Sequence, residues 1–331
     1  MPLGGSLHCG ALGEGNRWGE ADVLIGDLEL HLISDGIVHV DAGGPFGLVP
    51  RALYRRTFMP ADDNTLPMAL TCLLVRSRGL TILIDTGLGD KLSPESVARW
   101  GLERRGGGIV PGLAALGLGP QDVDIVVDTH LHADHCGGNT RRHGGATEAV
   151  FPRATYVVQR MEWADASHTD ARTQVAYLTE NFEPLMRRGQ LRLLHGDAAI
   201  TDQVRCVVTP GHTRGHQSVV LESGEWRGLY LADLASYALH FEKSSWMTAY
   251  DVEPLETLRT KTTWQHWAAE HEAWLFFEHD AALPVGRISR DGEGYRVVAE
   301  PGAAALIAAL PIPPQPRGSL IESQDRAPRP G

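Results

Sequence analysis

The amino-acid sequence predicts a mixed α/β fold, and three observations lead to this prediction. Short apolar segments of strand length alternate with longer segments of helical periodicity along most of the 331 residues. Hairpins are predicted towards both ends of the chain, so the strands cannot all be parallel. Hydrophobic residues make up 43% of the sequence, which is enough for a large buried core. We therefore expect interleaved strands and helices around one core.

The N-terminal half begins with an irregular stretch, because residues 1–22 are rich in glycine and lack periodicity. We expect these residues to form a flexible arm. Residues 27–43 are predicted to form two strands around a turn at Ser34-Asp35-Gly36. Residues 44–68 are irregular and are expected to line a pocket. The following elements are a hairpin at 69–87, a helix near 93–103, a short helix near 111–116 and a buried strand that ends near residue 127.

The C-terminal half is predicted to begin with a strand at 155–159 and a helical insertion at about 160–188. Trp163, Tyr177 and Phe182 in this insertion are expected to form an apolar lid. The further predicted elements are strands at 191–194, 204–208, 217–222 and 228–232, a helix at 254–272, a strand at 273–277, a hairpin at 286–300 and a helix at 302–309. No shift in composition divides residues 23–310, so we predict one domain, followed by a proline-rich, disordered tail at 311–331.

Composition limits the classes of partner and the compartment. The formal net charge of −11 argues against a nucleic-acid partner, which requires a basic surface. The sequence has no run of 18 apolar residues and no signal-peptide pattern at its N-terminus, so we expect no membrane span and a cytoplasmic location. The four cysteines are scattered without a CxxC pair, which predicts free thiols rather than a disulfide framework.

The segment THLHADHCGG at 129–138 contains the strongest chemical signal. His130, His132, Asp134 and His135 follow a predicted buried strand. Imidazole and carboxylate are the ligands that Zn²⁺, Mn²⁺, Fe and Co take when no thiolate is available. His130 and His132 lie two residues apart and point the same way in an extended segment. A chance cluster of polar residues is a poor explanation for this spacing, so we predict a metal site.

Three further strands end in a residue that can bind a metal. His212 follows the strand at 204–208, Asp233 follows an apolar strand, and His279 follows the strand at 273–277. Loops at one edge of a sheet converge on one place, so we expect these residues to join the first cluster.

This pattern of HxHxDH followed by His, Asp and His resembles the metallo-β-lactamase superfamily. The segments IDTG at 84–87 and GHTRGH at 211–216 are also similar to motifs of that superfamily. The resemblance covers about residues 23–300 and implies a four-layer αβ/βα sandwich of two mixed sheets flanked by helices. The long interval between His135 and His212 and the C-terminal hairpin resemble the N-acyl-homoserine lactonase and methyl parathion hydrolase branch.

The resemblance implies a dinuclear metal centre, with two divalent ions that are most often Zn²⁺ and alternatively Mn²⁺, Co²⁺ or Fe. It assigns His130, His132 and His212 to one ion, and Asp134, His135 and His279 to the other, with Asp233 between them. A hydroxide that bridges the ions is implied as the nucleophile. Asp134 and Asp233 are expected to be catalytic as well, with a metal-bound proton or one linked to Asp233 passing to the leaving alkoxide.

Three more residues are candidates for roles near the metals. Asp85 is expected to orient a metal-bound histidine through hydrogen bonds, with a simple turn as the alternative. His216 is expected to support the site rather than bind a metal. Tyr237 is a candidate catalytic donor to a substrate oxygen, with core packing as the alternative. Many of the similar lactonases carry tyrosine three residues after the bridging aspartate, where this chain has Ser236.

We therefore predict a metal-dependent hydrolase that opens a lactone or cleaves a related ester, as quorum-quenching lactonases do. The expected partner is a small ester or lactone, and a homodimer is possible. Two alternatives stay open at this point. One is hydrolysis of organophosphate triesters by the same kind of centre. The other is a non-catalytic ligand-binding protein on a hydrolase fold, against which the complete ligand set argues.

Overall fold

The computed structural model describes residues 23–292 and 294–311. The arm predicted at 1–22 and the tail predicted at 311–331 lie outside the described residues, apart from Pro311. The strands are β1 (Val23–Ile25), β2 (Leu28–Asp41), β3 (Thr65–Ser77), β4 (Leu80–Ile84), β5 (Ile125–Val127), β6 (Thr140–His143), β7 (Ala146–Ala149), β8 (Thr155–Gln159), β9 (Leu191–Leu194), β10 (Ala198–Ala199), β11 (Val204–Val208), β12 (Gln217–Ser223), β13 (Trp226–Tyr230), β14 (Trp274–Phe276), β15 (Val285–Asp291) and β16 (Gly294–Ala299). The α-helices are α1 (Gly43–Phe46), α2 (Arg51–Tyr54), α3 (Pro94–Trp100), α4 (Ile109–Ala115), α5 (Ala133–Cys136), α6 (Arg160–Ser167), α7 (Glu183–Arg187), α8 (Ala238–Glu242), α9 (Pro254–Glu270) and α10 (Ala304–Ala308).

Two seven-stranded sheets form the centre of the structure. The first has the order β1-β2-β3-β4-β5-β8-β9, and the second has the order β10-β11-β12-β13-β14-β15-β16. Strands β4, β5, β8 and β9 pair in parallel, as do β13 and β14, while the other pairs within these sheets are antiparallel. Both sheets are therefore mixed, and the predicted fold class is confirmed.

Neighbouring residues of a strand point to opposite faces of its sheet, and both sheets carry apolar residues on both faces. In β3, Leu73 packs into a core between the two sheets, whereas Leu74 packs under the helices on the outer face. In β12, Val219 and Leu221 face the shared core and Val220 faces the helices of the second sheet. These positions give four layers: helices, sheet, sheet and helices.

One predicted turn proves to be a β-bulge. The two strands expected at 27–43 form the single strand β2, whose pairing with β3 shifts register between Ser34 and Gly36. Asp35 is the extra residue, and its buried carboxylate accepts hydrogen bonds from Gly89 N at 3.1 Å and Arg104 Nη2 at 2.8 Å. The Asp-Gly pair was expected to form a turn. It forms a bulge instead, which directs the Asp35 side chain towards the loop after β4.

The insertion predicted to be helical at 160–188 is helical only at its two ends, in α6 and α7. The Asp170 carboxylate accepts hydrogen bonds from Arg172 N and Thr173 N, and this local turn competes with helix continuation. The expected aromatic lid is also wrong. Tyr177 and Phe182 are buried in the core under the first sheet. The cavity described below is lined instead by the non-helical residues Arg172, Thr173, Val175 and Ala176.

Most other predicted elements are present within one to three residues of their expected ends. The hairpin of β6 and β7 and the short strands β1 and β10 were not predicted. The described cysteines, Cys72, Cys136 and Cys206, are buried and free, as expected. None of the described helices combines the length and the apolar character that crossing a membrane requires.

Candidate metal centre

The loops that follow the four strands β5, β11, β13 and β14 bring the predicted ligands together at one edge of the sandwich. One group contains His130, His132, His212 and Asp233, and the other contains Asp134, His135 and His279. Within each group, the potential ligand atoms all lie within 4.8 Å of one another. All seven residues named from the sequence therefore lie at one place.

Ring nitrogens face each other across each group. His132 Nδ1 lies 3.1 Å from His212 Nε2, and His135 Nε2 lies 3.2 Å from His279 Nε2. The Asp134 carboxylate belongs to the second pair, since its Oδ2 lies 4.0 Å from His279 Nε2. The short helix α5 begins directly after His132, which turns Asp134 and His135 away from the extended pair before them.

Asp233 lies between the two groups. Its Oδ2 is 3.0 Å from His212 Nε2, 3.5 Å from His135 Nε2 and 3.9 Å from His130 Nε2. Its Oδ1 is 3.2 Å from His279 Nε2. One carboxylate thus contacts imidazoles of both groups, which is the position required of a bridging ligand.

Hydrogen bonds determine which nitrogen of two imidazoles is available. His212 Nδ1 lies 2.9 Å from Asp251 Oδ1, and His279 Nδ1 lies 2.7 Å from the Ala69 carbonyl oxygen. A carboxylate and a carbonyl can only accept, so both Nδ1 atoms donate. In the neutral form of each ring, Nε2 is then the nitrogen that carries no proton and is available to a metal.

A similar chain of bonds orients His130. Thr129 donates its hydroxyl proton to Asp85 Oδ2 at 2.7 Å, so its oxygen accepts from His130 Nδ1 at 3.1 Å. His130 Nε2 is buried and has no hydrogen-bond partner among the described residues. A buried polar atom without a partner is costly unless a ligand satisfies it.

Two carboxylates hold His135. Its Nδ1 lies 3.0 Å from Asp85 Oδ2 and 3.0 Å from Glu278 Oε2. Asp85 also accepts from Thr129 N at 2.8 Å and has a φ of 58°, a strained conformation for a residue other than glycine. Its surroundings match the orienting role predicted for it. Glu278 was not predicted, although it directly precedes His279 at the end of β14.

His216 lies behind Asp233. Its Nε2 accepts the backbone N–H of Asp233 at 3.1 Å, and its Nδ1 lies 3.1 Å from the Thr209 carbonyl oxygen. Burial, followed by the positive charge of His212, lowers the pKa of His216 to about 3, so the ring stays neutral. This position is consistent with a supporting role, as predicted, rather than with a ligand.

Tyr237 lines the same cavity as the cluster, but its hydroxyl donates to the Pro67 carbonyl oxygen at 3.2 Å. Its ring is buried among Phe46, Phe58 and other apolar residues. Tyr237 therefore both lines the cavity, as a catalytic donor would, and packs in the core, which was the alternative. Ser236 donates its hydroxyl to Asp233 Oδ1 at 2.8 Å and orients that carboxylate.

Opposite charges within the cluster shift the pKa values of its carboxyl groups and imidazoles. Burial raises the pKa of the Asp233 carboxyl, but His212 and His279 outweigh it and hold that pKa well below its usual value. Burial lowers the pKa of His279, whereas Asp233 raises it to about 9 overall. Burial raises the pKa of Glu278 to about 7, although His135 opposes this.

The donor set fits a metal. Five imidazoles and two carboxylates converge, one imidazole nitrogen has no partner, and two pairs of ring nitrogens lie at distances that an ion between them explains. The residues therefore suit divalent ions of the Zn²⁺ and Mn²⁺ kind.

Glu162 joins the insertion to the metal-binding loops and was not predicted. This buried carboxylate accepts from Leu131 N at 2.9 Å, from the Tyr177 hydroxyl at 3.0 Å and from the Thr213 hydroxyl at 2.5 Å. A Cβ at Gly215 would lie 2.2 Å from Glu162 N, so glycine allows this close approach. One side chain on α6 thus ties together the loops that carry His130 and His212.

A cavity of about 300 Å³ opens above the cluster. His132, Asp134, His212, Asp233 and His279 lie on its floor. Its apolar walls include Val40, Pro45, Met68, Trp100, Val175 and Val252. A concave, mainly apolar cavity with a few convergent polar groups is typical of a small-molecule site.

A family model described as the metallo-beta-lactamase superfamily matches residues 67–273, which is more than half of the chain. The chain belongs to the metallo-β-lactamase superfamily. The matched range includes His130, Asp233 and most of the cluster, whereas His279 follows it. The resemblance inferred from the sequence is confirmed, and with it the prediction of a metal-dependent hydrolase of this superfamily.

Curated relatives are lactonases. The chain is 28% identical to the N-acyl homoserine lactonase AttM of Rhizobium radiobacter over 62% of this chain and 80% of the relative. It is 29% identical to an N-acyl homoserine lactonase of a Bacillus species over 60% of this chain and 75% of the relative.

Solved structures of a hydrolase and a lactonase are also similar to this chain. A probable metal-dependent hydrolase from Staphylococcus aureus superposes with a TM-score of 0.77 at 26% identity, covering 84% of this chain and 99% of that one. The dizinc quorum-quenching lactonase AidC superposes with a TM-score of 0.70 at 20% identity, covering 84% of this chain and 96% of that one. The second likeness supports the fold alone.

Proposed function

We propose that this protein is a dinuclear metal-dependent lactonase that hydrolyses N-acyl homoserine lactones or closely related lactones. The observation that carries the proposal is the position of Asp233 between two groups of ligands on the floor of an apolar cavity. The names of the curated relatives support the lactone as substrate class. The cavity supports it independently, because its apolar walls suit an acyl chain and its polar groups lie at the floor.

In this proposal His130, His132 and His212 would hold one ion and Asp134, His135 and His279 would hold the other, with Asp233 shared between the two groups. Two divalent ions, most simply Zn²⁺, would supply Lewis-acid chemistry there, which lowers the pKa of water from ~15.7 towards ~7 and favours charge on a carbonyl oxygen. Asp85 and Glu278 keep His135 oriented, and Asp251 does the same for His212. His216 and Ser236 hold the Asp233 backbone and carboxylate in place.

The residues also handle one proton. Hydrolysis adds water across the ring ester, so the acyl carbon–oxygen bond breaks and the ring alkoxide must receive a proton. Asp134 and Asp233 are the carboxylates that line the cavity among the described residues, and in this proposal they pass that proton on. The low pKa of Asp233 keeps its carboxylate ionised and able to accept a hydrogen bond from water.

The test is a substrate panel with metal removal. Purified protein is assayed with N-acyl homoserine lactones of increasing chain length, simple aryl esters and a paraoxon-type triester. We expect kcat/KM of about 10⁴ M⁻¹ s⁻¹ or more on a lactone, loss of activity with a chelator, and recovery with Zn²⁺, Mn²⁺ or Co²⁺. Faster hydrolysis of the triester than of every lactone would contradict the proposed substrate class.

Variants test the site itself. His132→Ala and Asp233→Ala should lower kcat/KM by at least about 1,000-fold, because each removes a ligand of the centre. His195→Ala is the matched control, since this exposed histidine lies on the loop after β9, outside the cluster. Wild-type activity of Asp233→Ala in metal-free buffer would refute the role of the bridging carboxylate.

A further inference from the structure

Five hydroxyl-bearing side chains line the cavity among the described residues. They are Thr173, Ser236, Tyr237, Thr248 and Tyr250. Four of these hydroxyls already donate to the protein, because Ser236 donates to Asp233, Tyr237 to Pro67, Thr248 to Asp251 and Thr173 to Asp170. Tyr250 is the exception, since its hydroxyl has no hydrogen-bond partner in the described part of the chain.

The Tyr250 hydroxyl is nonetheless held in a defined place. Ala249 N donates to the Gly44 carbonyl oxygen at 2.8 Å, which ties the loop before α9 to α1. A Cβ at Gly44 would lie 1.8 Å from the Tyr250 hydroxyl oxygen. The ring therefore lies against a glycine that leaves room for it. Tyr250 remains 46% exposed, so a substrate can reach it.

Tyr250 lines the same cavity as Asp134 and Asp233. Partial burial, followed by the negative charges of Asp134 and Asp233, raises the pKa of Tyr250 to about 12. The hydroxyl therefore keeps its proton at neutral pH and can donate it in a hydrogen bond. A donor without a protein partner, in the same cavity as Asp134 and His279, is available to a bound molecule.

We propose that Tyr250 donates a hydrogen bond to the scissile carbonyl oxygen of the substrate and stabilises the negative charge that develops there during ester hydrolysis. This inference rests on the proposed lactonase function and adds a catalytic residue to it. No proton is transferred in the step, because the hydroxyl stays bonded to its proton throughout. A preorganised donor acts most strongly in the transition state, where the oxygen carries most charge.

The experiment compares three variants on the best lactone of the panel. Tyr250→Phe removes the hydroxyl and keeps the ring. Gly44→Ala keeps the hydroxyl but displaces it, since the new methyl group would occupy its place. Tyr295→Phe is the matched control, because its hydroxyl bonds to His266 outside the cavity. Metal content and kcat and KM are measured for each protein.

For Tyr250→Phe we expect a kcat roughly 100-fold lower, at the low end of the effect of one oxyanion donor. KM should change by less than about three-fold, because the contact strengthens mainly in the transition state. Gly44→Ala should lower kcat in the same direction. Metal content should match wild type in both variants, and Tyr295→Phe should retain wild-type kinetics.

Two results would overturn the role of Tyr250 alone. One is a wild-type kcat for Tyr250→Phe on a lactone that the wild-type protein hydrolyses. The other is a wild-type kcat for Gly44→Ala, in which the new methyl group takes the place of the hydroxyl. Absence of metal-dependent hydrolysis of every lactone by the wild-type protein would instead refute the proposed function, and the role of Tyr250 with it.

Discussion

The Asp251 carboxylate orients one imidazole of the centre, since it lies 2.9 Å from His212 Nδ1. Replacing Asp251 by alanine frees the ring to rotate and removes the acceptor that keeps Nε2 unprotonated. We expect metal affinity to fall about 10- to 100-fold in a chelator competition titration. Asp291→Ala is the control, because this exposed carboxylate pairs with Arg296 on the terminal hairpin. Equal affinities for both variants would contradict the orienting role.

The protonation of His279 predicts how metal binding depends on pH. Burial lowers its pKa and Asp233 raises it, to about 9 overall, compared with about 6.5 in an unfolded chain. In the metal-free protein this contribution to stability is fully present below pH ~6.5 and is lost as pH rises through 9. Glu278, whose pKa is raised to about 7, changes stability in the same direction.

We therefore expect the melting temperature of the metal-free protein to fall between pH 6.5 and 9. The increase on adding Zn²⁺ should be larger at pH 9 than at pH 6.5, since the ion then displaces fewer protons. Differential scanning fluorimetry at both pH values, with and without metal, measures this. A metal-induced increase that is larger at pH 6.5 would contradict the assignment of His279 as a ligand.

At the scale of elements, α6 is tied to the metal-binding loops by Glu162. Glu162→Ala would leave Leu131 N and the hydroxyls of Tyr177 and Thr213 without their buried acceptor. We expect a loss of about 1–3 kcal/mol in the free energy of unfolding, measured by urea denaturation, and weaker metal binding. Glu162→Gln keeps one acceptor oxygen and the shape, so it should lose less. Equal stability of the alanine variant and wild type would contradict the connection.

The sequence predicts site residues that follow recognisable strands, but not those that lie in irregular loops. His130, His212, Asp233 and His279 could be named because each follows an apolar run that reads as a strand, and strand ends converge. Asp251 had no such signal, because it lies in an irregular loop whose approach to His212 depends on tertiary packing.

The role of Glu162 and the β-bulge in β2 were also not predicted, for two different physical reasons. Glu162 lies in the predicted insertion, but its role depends on the close approach of its backbone to Gly215 of a distant loop. Ser34-Asp35-Gly36 has the composition of a turn, yet continued pairing with β3 makes it a bulge. Local propensity favoured the turn, and the long-range ladder overrode it.

At the scale of the whole molecule, the core between the two sheets holds the strand ends in register. Phe276 is 1% exposed in that core and lies three residues before His279. Phe276→Ala should cost about 3–5 kcal/mol in the free energy of unfolding, because it leaves a cavity between the sheets. Leu255→Ala, at a side chain that is 67% exposed, should change it by less than about 0.5 kcal/mol. Urea denaturation followed by circular dichroism separates the two, and similar values would contradict a shared core.

The central claim is that seven side chains hold two ions bridged by Asp233. The most direct measurement is an anomalous diffraction map at the zinc edge from a crystal grown with Zn²⁺. We predict two peaks per chain, one among His130, His132 and His212 and the other among Asp134, His135 and His279, with Asp233 touching both. A single peak in the cluster, or zinc bound only elsewhere, would contradict the account.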